Sequence, residues 1–350
     1  MTWQKCFRRL RSIITFAAFI VSITLILFVW HPNDSVHHIS PLSNLDSNNP
    51  QKTSSNQWSQ QSARGEYDDD MDSVTDTHPN DFPRLPGESK RLPACIIIGA
   101  RKCGTRALLE FLNLHPDIRT ADHELHFFDR DHVYAKGVEW YRRRMPYSLP
   151  HQVTIEKTPA YFVNPLAPER IFKLNDSIRL LLIVREPVRR TVSDYTQVHM
   201  TKMAKGKPHE PFEGMVIDQR TGRVRSCYKP VRNSLYYKHL RRWLNYFSMD
   251  SIHLVDGDRF VQDPLSELRK VETFLGLQHK IDAQQLYYNS TKGFYCYRHP
   301  RDGAKCLGET KGRPHVNISQ QVKEKLGNFF APFNRLFYDL TNRTFDWTLK

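Results

Sequence analysis

Four short aliphatic runs, each followed by an amphipathic helical pattern, constrain this chain more than any other feature. The runs are "ACIII" (94–98), "VTIEK" (153–157), "RLLLIV" (179–184) and "SIHLVDG" (251–257), and the helical patterns occupy 105–114, 166–174, 187–200 and 264–275. Continuous aliphatic strands suit a parallel sheet buried on both sides, and the alternation of β and α units predicts an open, mainly parallel α/β sheet with helices on both faces. Ligands of such sheets bind beyond the carboxyl ends of the strands, so the residues just after each run are where chemistry is to be sought.

The first of these ends lies within "CIIIGARKCGTRALLEFLNLHP" (95–116). Gly99 and Gly104 have the spacing of the phosphate-binding pattern G-x-x-x-x-G-K-[ST], but Thr105 stands where that pattern needs Lys, and Lys102 sits inside the turn. The N–H groups at a helix N-terminus still favour an anion there, as does the helix dipole. Lys102 adds a point charge, and Thr105 and Arg106 add hydrogen bonds. The second end, "LLLIVREPVRRTVSDYTQ" (180–197), puts Arg185 at the strand end, Pro187 in the first helical turn and Ser193 two turns in. Two anion sites on one sheet fit a nucleotide phosphorylated at both its 5′ and 3′ positions. ATP has no 3′-phosphate, and the missing G-K-[ST] argues against a P-loop kinase.

Charge points to the partner. The chain of 350 residues has a formal net charge of +14, and residues 91–350 carry 43 Lys and Arg against 27 Asp and Glu. A basic body suits a polyanion: nucleic acid, anionic lipid or acidic polysaccharide. Residues 13–30 are an uncharged apolar run of 18, preceded by Lys5, Arg8, Arg9 and Arg11 and followed by "HPNDS". That asymmetry predicts an uncleaved transmembrane signal-anchor, with a cytoplasmic tail at 1–12 and the remainder lumenal. A cleaved signal peptide is the competing reading, and "FVWHPND" offers no small-x-small cleavage site. Residues 31–90 are rich in Ser, Asn, Asp, Gln and Pro without aliphatic periodicity, which reads as a disordered lumenal stem before a folded domain at 91–350.

Glycosylation sequons at Asn33, Asn175, Asn289, Asn317 and Asn342 agree with a lumenal body. Cys296 and Cys306 enclose "CYRHPRDGAKC" and suit a disulfide in an oxidising compartment; metal binding is the alternative, without CxxC-type spacing. Cys6 reads as palmitoylated or inert, and Cys95, Cys103 and Cys227 as free thiols. No cluster of His, Cys and carboxylates has metal-ligand spacing.

From about residue 91 to 347 the chain resembles the Golgi sulfotransferases, and most closely the heparan sulfate glucosamine 3-O-sulfotransferases. The resemblance lies in "GARKCGTRALLEFLNLHP", "ELHFFD", "KGVEWYRRRMP", "TIEKTPAYF", "IVREPVRRTVSDYTQ", "YYKHLRRWL", "GFYC" and "KGRPH". The loop length between Cys296 and Cys306 and several motif variants are closer to types 1 and 5 than to type 3. The resemblance implies a P-loop-like sulfotransferase fold that binds 3′-phosphoadenosine-5′-phosphosulfate (PAPS) as co-substrate. It implies sulfuryl transfer to the 3-hydroxyl of glucosamine in heparan sulfate, with no obligatory metal and no nucleic acid partner. It also implies a single-pass type II protein of the Golgi membrane.

Residue by residue, the resemblance assigns Lys102, Cys103, Gly104, Thr105 and Arg106 to the 5′-phosphosulfate, and Arg185 and Ser193 to the 3′-phosphate. Tyr295 and the loop Lys311, Gly312, Arg313, Pro314 and His315 complete the donor site. The family usually has Gly where Cys103 stands: the backbone contact survives a negative φ there, and loop geometry must change if φ is positive. On the acceptor side stand Glu124, Leu125, His126, Phe127, Phe128, Asp129 and Arg130, then Lys157, Thr158, Pro159 and Ala160, with Gln197 and Tyr228. Glu124 matches the base, Lys102 would neutralise the leaving group, and His126 and Lys157 would orient acceptor and base. Phe127 and Phe128 also read as core. Arg142 to Arg144 and Lys202, Lys205 and Lys207 are candidates for holding a polyanion. Two rivals remain: an N-sulfotransferase in which Glu156 takes the base role, and a non-catalytic heparan sulfate lectin.

Overall fold

Residues 85–299, 303–308, 312 and 314–347 are described by the computed structural model. The expected tail 1–12, the anchor 13–30, Cys6 and Asn33, together with Lys311 and Arg313, lie outside the described residues, as does the stem up to residue 84. Seven strands open the folded part: β1 (Ser89–Lys90), β2 (Cys95–Gly99), β3 (Ile118–Thr120), β4 (Tyr147–Ser148), β5 (Val153–Lys157), β6 (Arg179–Val184) and β7 (Ile252–Asp256). β1 pairs antiparallel with β4, so the compositional boundary at residue 90 falls inside the ordered body, which already includes Ser89 and Lys90.

Five strands form the central sheet in the order β3-β5-β2-β6-β7, every neighbouring pair parallel. Cys95 to Ile98 and Leu180 to Val184 are fully buried, which is why these strands read as unbroken aliphatic runs rather than alternating ones. The chain builds first to one side of β2 and then, through β6 and β7, to the other. Right-handed connections then place helices on both faces, and the direction reverses between β2 and β6, opening a crevice at their carboxyl ends.

The helices that matter here are α1 (Thr105–Leu112), α2 (Ala167–Leu174), α3 (Pro187–Ala204), α4 (Tyr236–Trp243), α5 (Gly257–Gln262), α6 (Pro264–Leu275) and α7 (Gln320–Thr341). α3 begins where Glu186 caps it: its carboxylate accepts from the N–H groups of Val188 (2.8 Å) and Arg189 (2.7 Å), and Pro187 follows at a position that needs no donor. α6 stops at Gly276, whose φ of 72° suits a residue without a Cβ. Val188, Val192 and Tyr195 of α3 pack with Phe212, Val231, Leu326 and Phe330 as a second apolar cluster beside the main core.

An antiparallel sheet of β8 (Leu286–Asn289), β9 (Phe294–His299) and β10 (Gly303–Lys305) follows the central one, and the disulfide Cys296–Cys306 ties it (S–S 2.07 Å). Cys95 and Cys103 are buried free thiols and Cys227 is exposed. Asn175, Asn317 and Asn342 are exposed, and Asn289 is half-buried.

Candidate active site

Two turns face each other at the crevice. After β2, the turn must reverse within a few residues and enter α1, and the left-handed conformations this requires fall on Lys102 (φ 73°) and Gly104 (φ 109°). Cys103 between them does not have a positive φ. A side chain at that position therefore costs no left-handed backbone strain. The Cys103 thiol is 1 % exposed and lies 3.4 Å from the Tyr236 hydroxyl, and burial pushes its pKa up. Tyr236 in turn donates to the Arg185 carbonyl (2.8 Å), so α4 bridges the turn after β2 and the end of β6.

One stripe of α3 grips the same turn. Arg190, 1 % exposed, donates to the Arg101 carbonyl (3.0 Å), Pro230 O (2.7 Å), Ser234 Oγ (2.6 Å) and Asp194 Oδ2 (2.9 Å). Arg101 Nε donates to the other Asp194 oxygen (3.2 Å), and Lys102 Nζ to Gln197 Oε1 (2.9 Å). Positions 190, 194 and 197 share one helix face. Burial alone would raise the Asp194 pKa; Arg190, then Arg101, override it and hold the carboxyl below its usual value.

At the end of β6, Arg185 Nε donates to Asp258 Oδ1 (3.2 Å), Arg189 lies 3.6 Å from the same oxygen, and the Glu186 N–H donates to Asp258 Oδ2 (2.7 Å). Gly257 makes this closeness possible. A Cβ there would stand 2.6 Å from Arg185 Cγ, 2.8 Å from the Cys103 carbonyl oxygen and 2.8 Å from the Val184 carbonyl oxygen. Gly257→Ala is therefore expected to push the two turns apart and to cost about 1–3 kcal/mol of stability in denaturant unfolding. Unchanged stability would mean the backbone there shifts freely.

Ser193 is half-buried on α3, and Thr105 is buried at the start of α1. His315 is surface-exposed, yet its imidazole is crowded. That crowding first, then the positive charges of Arg185, Lys102 and Arg189, push its pKa below the ordinary histidine value. The described end of the "KGRPH" loop thus joins the cations of both turns. Gly312 and Pro314 are exposed, and Tyr295 is half-buried on β9, edge-on to Tyr288 (5.5 Å).

The acceptor side lies beyond β5. Lys157, its last residue, is 3 % exposed and forms an ion pair with Glu124 Oε1. His126 Nε2 stands 3.9 Å from Glu124 Oε2, and His126 Nδ1 is 2.9 Å from Asp129 Oδ2. A carboxylate is thus set between an ammonium and an imidazole, with a second carboxylate steadying the imidazole. A cleft of about 490 Å³ runs past them, lined by Arg106 and Glu110 of α1, Asp122, His123, Glu124, Lys157, Tyr297 and the segment Cys306 to Gly308. Glu124 and Arg106 sharing one cleft puts the acid beside the N-terminus of α1.

Several residues read as acceptor contacts are placed elsewhere. Leu125, Phe127 and Phe128 are buried, and Tyr141 packs against both phenylalanine rings (centroids 4.5 and 5.1 Å), so these side chains build core rather than face a saccharide. Thr158 and Pro159 are also buried; the Thr158 hydroxyl donates to Glu156. Arg130 and Ala160 are half-buried. Tyr228 packs against the second apolar cluster and is not among the residues lining the cleft. Arg142 and Arg143 are paired with Glu139, and Arg144 lies over Trp140 (4.6 Å). Lys205 and Lys207 are exposed and Lys202 is half-buried.

Sequence reasoning gave no role to Tyr236, Arg190, Asp194, Gly257 or Asp258. The i, i+4 spacing of Arg190 and Asp194 was the one available signal, and it carries no information on burial.

A sulfotransferase domain model matches residues 92–333. The chain is 54 % identical over 258 residues to heparan sulfate glucosamine 3-O-sulfotransferase 5 of Mus musculus, covering 74 % of this chain and 75 % of that one. It is 53 % identical over 264 residues to the Homo sapiens protein of the same name, covering 75 % and 76 %. Heparan sulfate glucosamine 3-O-sulfotransferase 3A1 of Mus musculus is 44 % identical over 279 residues, covering 79 % and 70 %. The crystal structure of a sulfotransferase from Alicyclobacillus acidocaldarius shares the fold with TM-score 0.55 at 20 % identity, covering 73 % of this chain and 99 % of that one. With the parallel sheet, the cationic crevice and these matches together, the chain belongs to the heparan sulfate glucosamine 3-O-sulfotransferase family of sulfotransferases.

Proposed function

We propose that the protein transfers the sulfuryl group of PAPS to the 3-hydroxyl of glucosamine residues in heparan sulfate, with Glu124 as the base. The observation that carries this reading is the Glu124 carboxylate, held between Lys157 and His126 in the cleft that Arg106 also lines. The residues present fit the donor: Lys102, Arg185 and Arg189 gather positive charge around two helix-entering turns, with the imidazole of His315 among them. The acceptor oxygen attacks sulfur, the bond from sulfur to the 5′-phosphate oxygen breaks, and the hydroxyl proton passes to Glu124. Lys102 offsets the charge that appears on the departing phosphate. Heparan sulfate, a dense polyanion, suits the basic body, and its binding weakens as salt rises.

The N-sulfotransferase rival needs Glu156 as base, but Glu156 is fully buried, and burial above all pushes its pKa up to about 8. That position does not support contact with a substrate. The lectin rival leaves the aligned Glu124, His126 and Asp129 without a purpose. The apolar run 13–30 and the sequons support a type II lumenal enzyme of the Golgi membrane that carries N-glycans.

The deciding experiment is ³⁵S transfer from PAPS to heparan sulfate by the full chain without ATP, followed by disaccharide analysis. Label on the 3-oxygen is expected. Label on nitrogen replaces the reading with N-sulfation, and polysaccharide binding without transfer replaces it with the lectin. Arg185→Ala tests the donor half. It is expected to weaken adenosine 3′,5′-bisphosphate by about 10- to 100-fold while leaving adenosine 5′-phosphate nearly unchanged. Equal losses for both nucleotides remove Arg185 from the 3′-phosphate site.

A further inference from the structure

We infer that Glu156 is a positioning residue for the turn that carries the base: its fully buried carboxyl accepts the Thr158 hydroxyl, whose oxygen in turn takes the His126 N–H, and so fixes where Glu124 and His126 stand. This inference rests on Glu124 being the base.

The turn from Glu124 to Phe128 cannot satisfy its own backbone. His126 has a φ of 51°, a left-handed conformation that a non-glycine residue adopts only where the surroundings impose it. Two successive N–H groups are instead taken by two side chains of the segment that follows β5. The His126 N–H goes to Thr158 Oγ (3.4 Å), and the Phe127 N–H to the Tyr161 hydroxyl (3.1 Å). Thr158 passes its own hydroxyl proton on to Glu156 Oε1, and the Tyr141 hydroxyl points at Oε2 (3.5 Å). Glu156 therefore stands at the root of the cradle. Strand alternation at the end of β5 separates the roles: Lys157 turns to the cleft and meets Glu124, while Glu156 turns beneath the turn and has no exposed surface.

The groups facing Glu156 are Thr158, Tyr141 and Tyr161, with Lys157 and Glu124 as the nearby charges. Burial dominates and pushes its pKa up to about 8; Thr158, Lys157 and the Leu125 N–H pull it down, and the Glu124 charge pushes it further up. Since the folded value lies above the ordinary carboxyl value of about 4.3, the stabilising contribution is fully present below that ordinary value. It is lost as pH rises through about 8. Ionised Glu156 also competes with Glu124 for Lys157. Turnover should therefore carry an alkaline limb that belongs to a residue no substrate touches.

The test is kcat and KM for heparan sulfate between about pH 5.5 and 9, with the full chain, for wild type, Glu156→Gln and Glu156→Ala. Gln keeps the shape of the neutral acid. It is expected to stay within about threefold of wild-type kcat at pH 6.5 and to lose the alkaline limb. Ala strands the buried Thr158 hydroxyl. It is expected to lower kcat about tenfold or more with unchanged affinity for adenosine 3′,5′-bisphosphate. If the Ala variant does not fold, the Gln pH profile alone decides. Inactivity of Glu156→Gln at pH 6.5 would mean that the charged form is required and would overturn the proposal, as would an alkaline limb that persists in it. The failure of the base reading is separately visible, because it shows as turnover surviving in Glu124→Gln whatever the Glu156 profile does.

Discussion

Glu124→Gln in the full chain is expected to lower kcat by about 10²- to 10⁴-fold while adenosine 3′,5′-bisphosphate binds as in wild type. The amide fills the same space and can still meet His126 and Lys157, but it cannot take the proton of an attacking hydroxyl. A sugar hydroxyl is a weak nucleophile at neutral pH, so losing the acceptor for that proton appears in turnover rather than in KM. Donor affinity should hold because the cations that suit the nucleotide belong to the turns after β2 and β6, whereas Glu124 engages Lys157 and His126. The buried Lys157 loses its counter-charge, so some loss of thermal stability accompanies the change. Turnover of the variant near the wild-type rate, measured by ³⁵S incorporation, would remove Glu124 from the mechanism.

The fold was legible where burial writes itself into composition. The runs at 94–98, 153–157, 179–184 and 251–257 match β2, β5, β6 and β7 within one residue at either end, because their buried centres are aliphatic: Ile96 to Ile98, Ile155, Leu180 to Val184, and Leu254 with Val255. β3 was missed: three residues, Ile118–Thr120, at the sheet edge make no run. The antiparallel sheet was missed because its strands are short and mix half-buried, buried and exposed positions without a period of two, among Tyr, Arg and His. α7 was missed although it is 22 residues long; Gly327 and Pro332 interrupt the pattern that would have announced it.

The site divided in a similar way. Charged residues at strand ends, Lys102 and Arg185, announce themselves because topology gives those positions to ligands. Glu124, His126, Asp129 and Lys157 came from motif resemblance, and the structure brings these four together. What no pattern carries is which side of a short segment faces inward. Within "ELHFFD" the fold puts Leu125, Phe127 and Phe128 in the core and Glu124 in the cleft. Within "EKT" it sends Lys157 to the cleft and Glu156 beneath it. Tyr236 and Gly257 act by closing distances between segments remote in sequence, and such closeness exists only once the chain has folded.

Asp194→Ala is expected to destabilise the protein by about 3–5 kcal/mol, a fall of roughly 10 °C in melting temperature for a body of this size. Asp194 is fully buried and is shared by two guanidiniums: Arg190, which is also buried, and Arg101. Removing the carboxylate leaves the Arg190 charge in the interior, where its remaining partners, the carbonyls of Arg101 and Pro230 and the Ser234 hydroxyl, cannot replace a full negative charge. Function should suffer beyond stability, because Arg190 holds the Arg101 carbonyl and that turn positions Lys102. Affinity for adenosine 3′,5′-bisphosphate should therefore fall even well below the melting temperature, although Asp194 itself offers a ligand only negative charge. Since the folded carboxyl titrates below its ordinary value, its contribution is intact above about pH 4 and disappears as pH falls through the folded value. The control is the pair Arg190→Met with Asp194→Leu, which removes both charges and should recover part of the stability without recovering the donor turn. A single Asp194→Ala variant as stable as wild type would mean that Arg190 escapes to solvent, and the turn would then owe its shape to something other than α3.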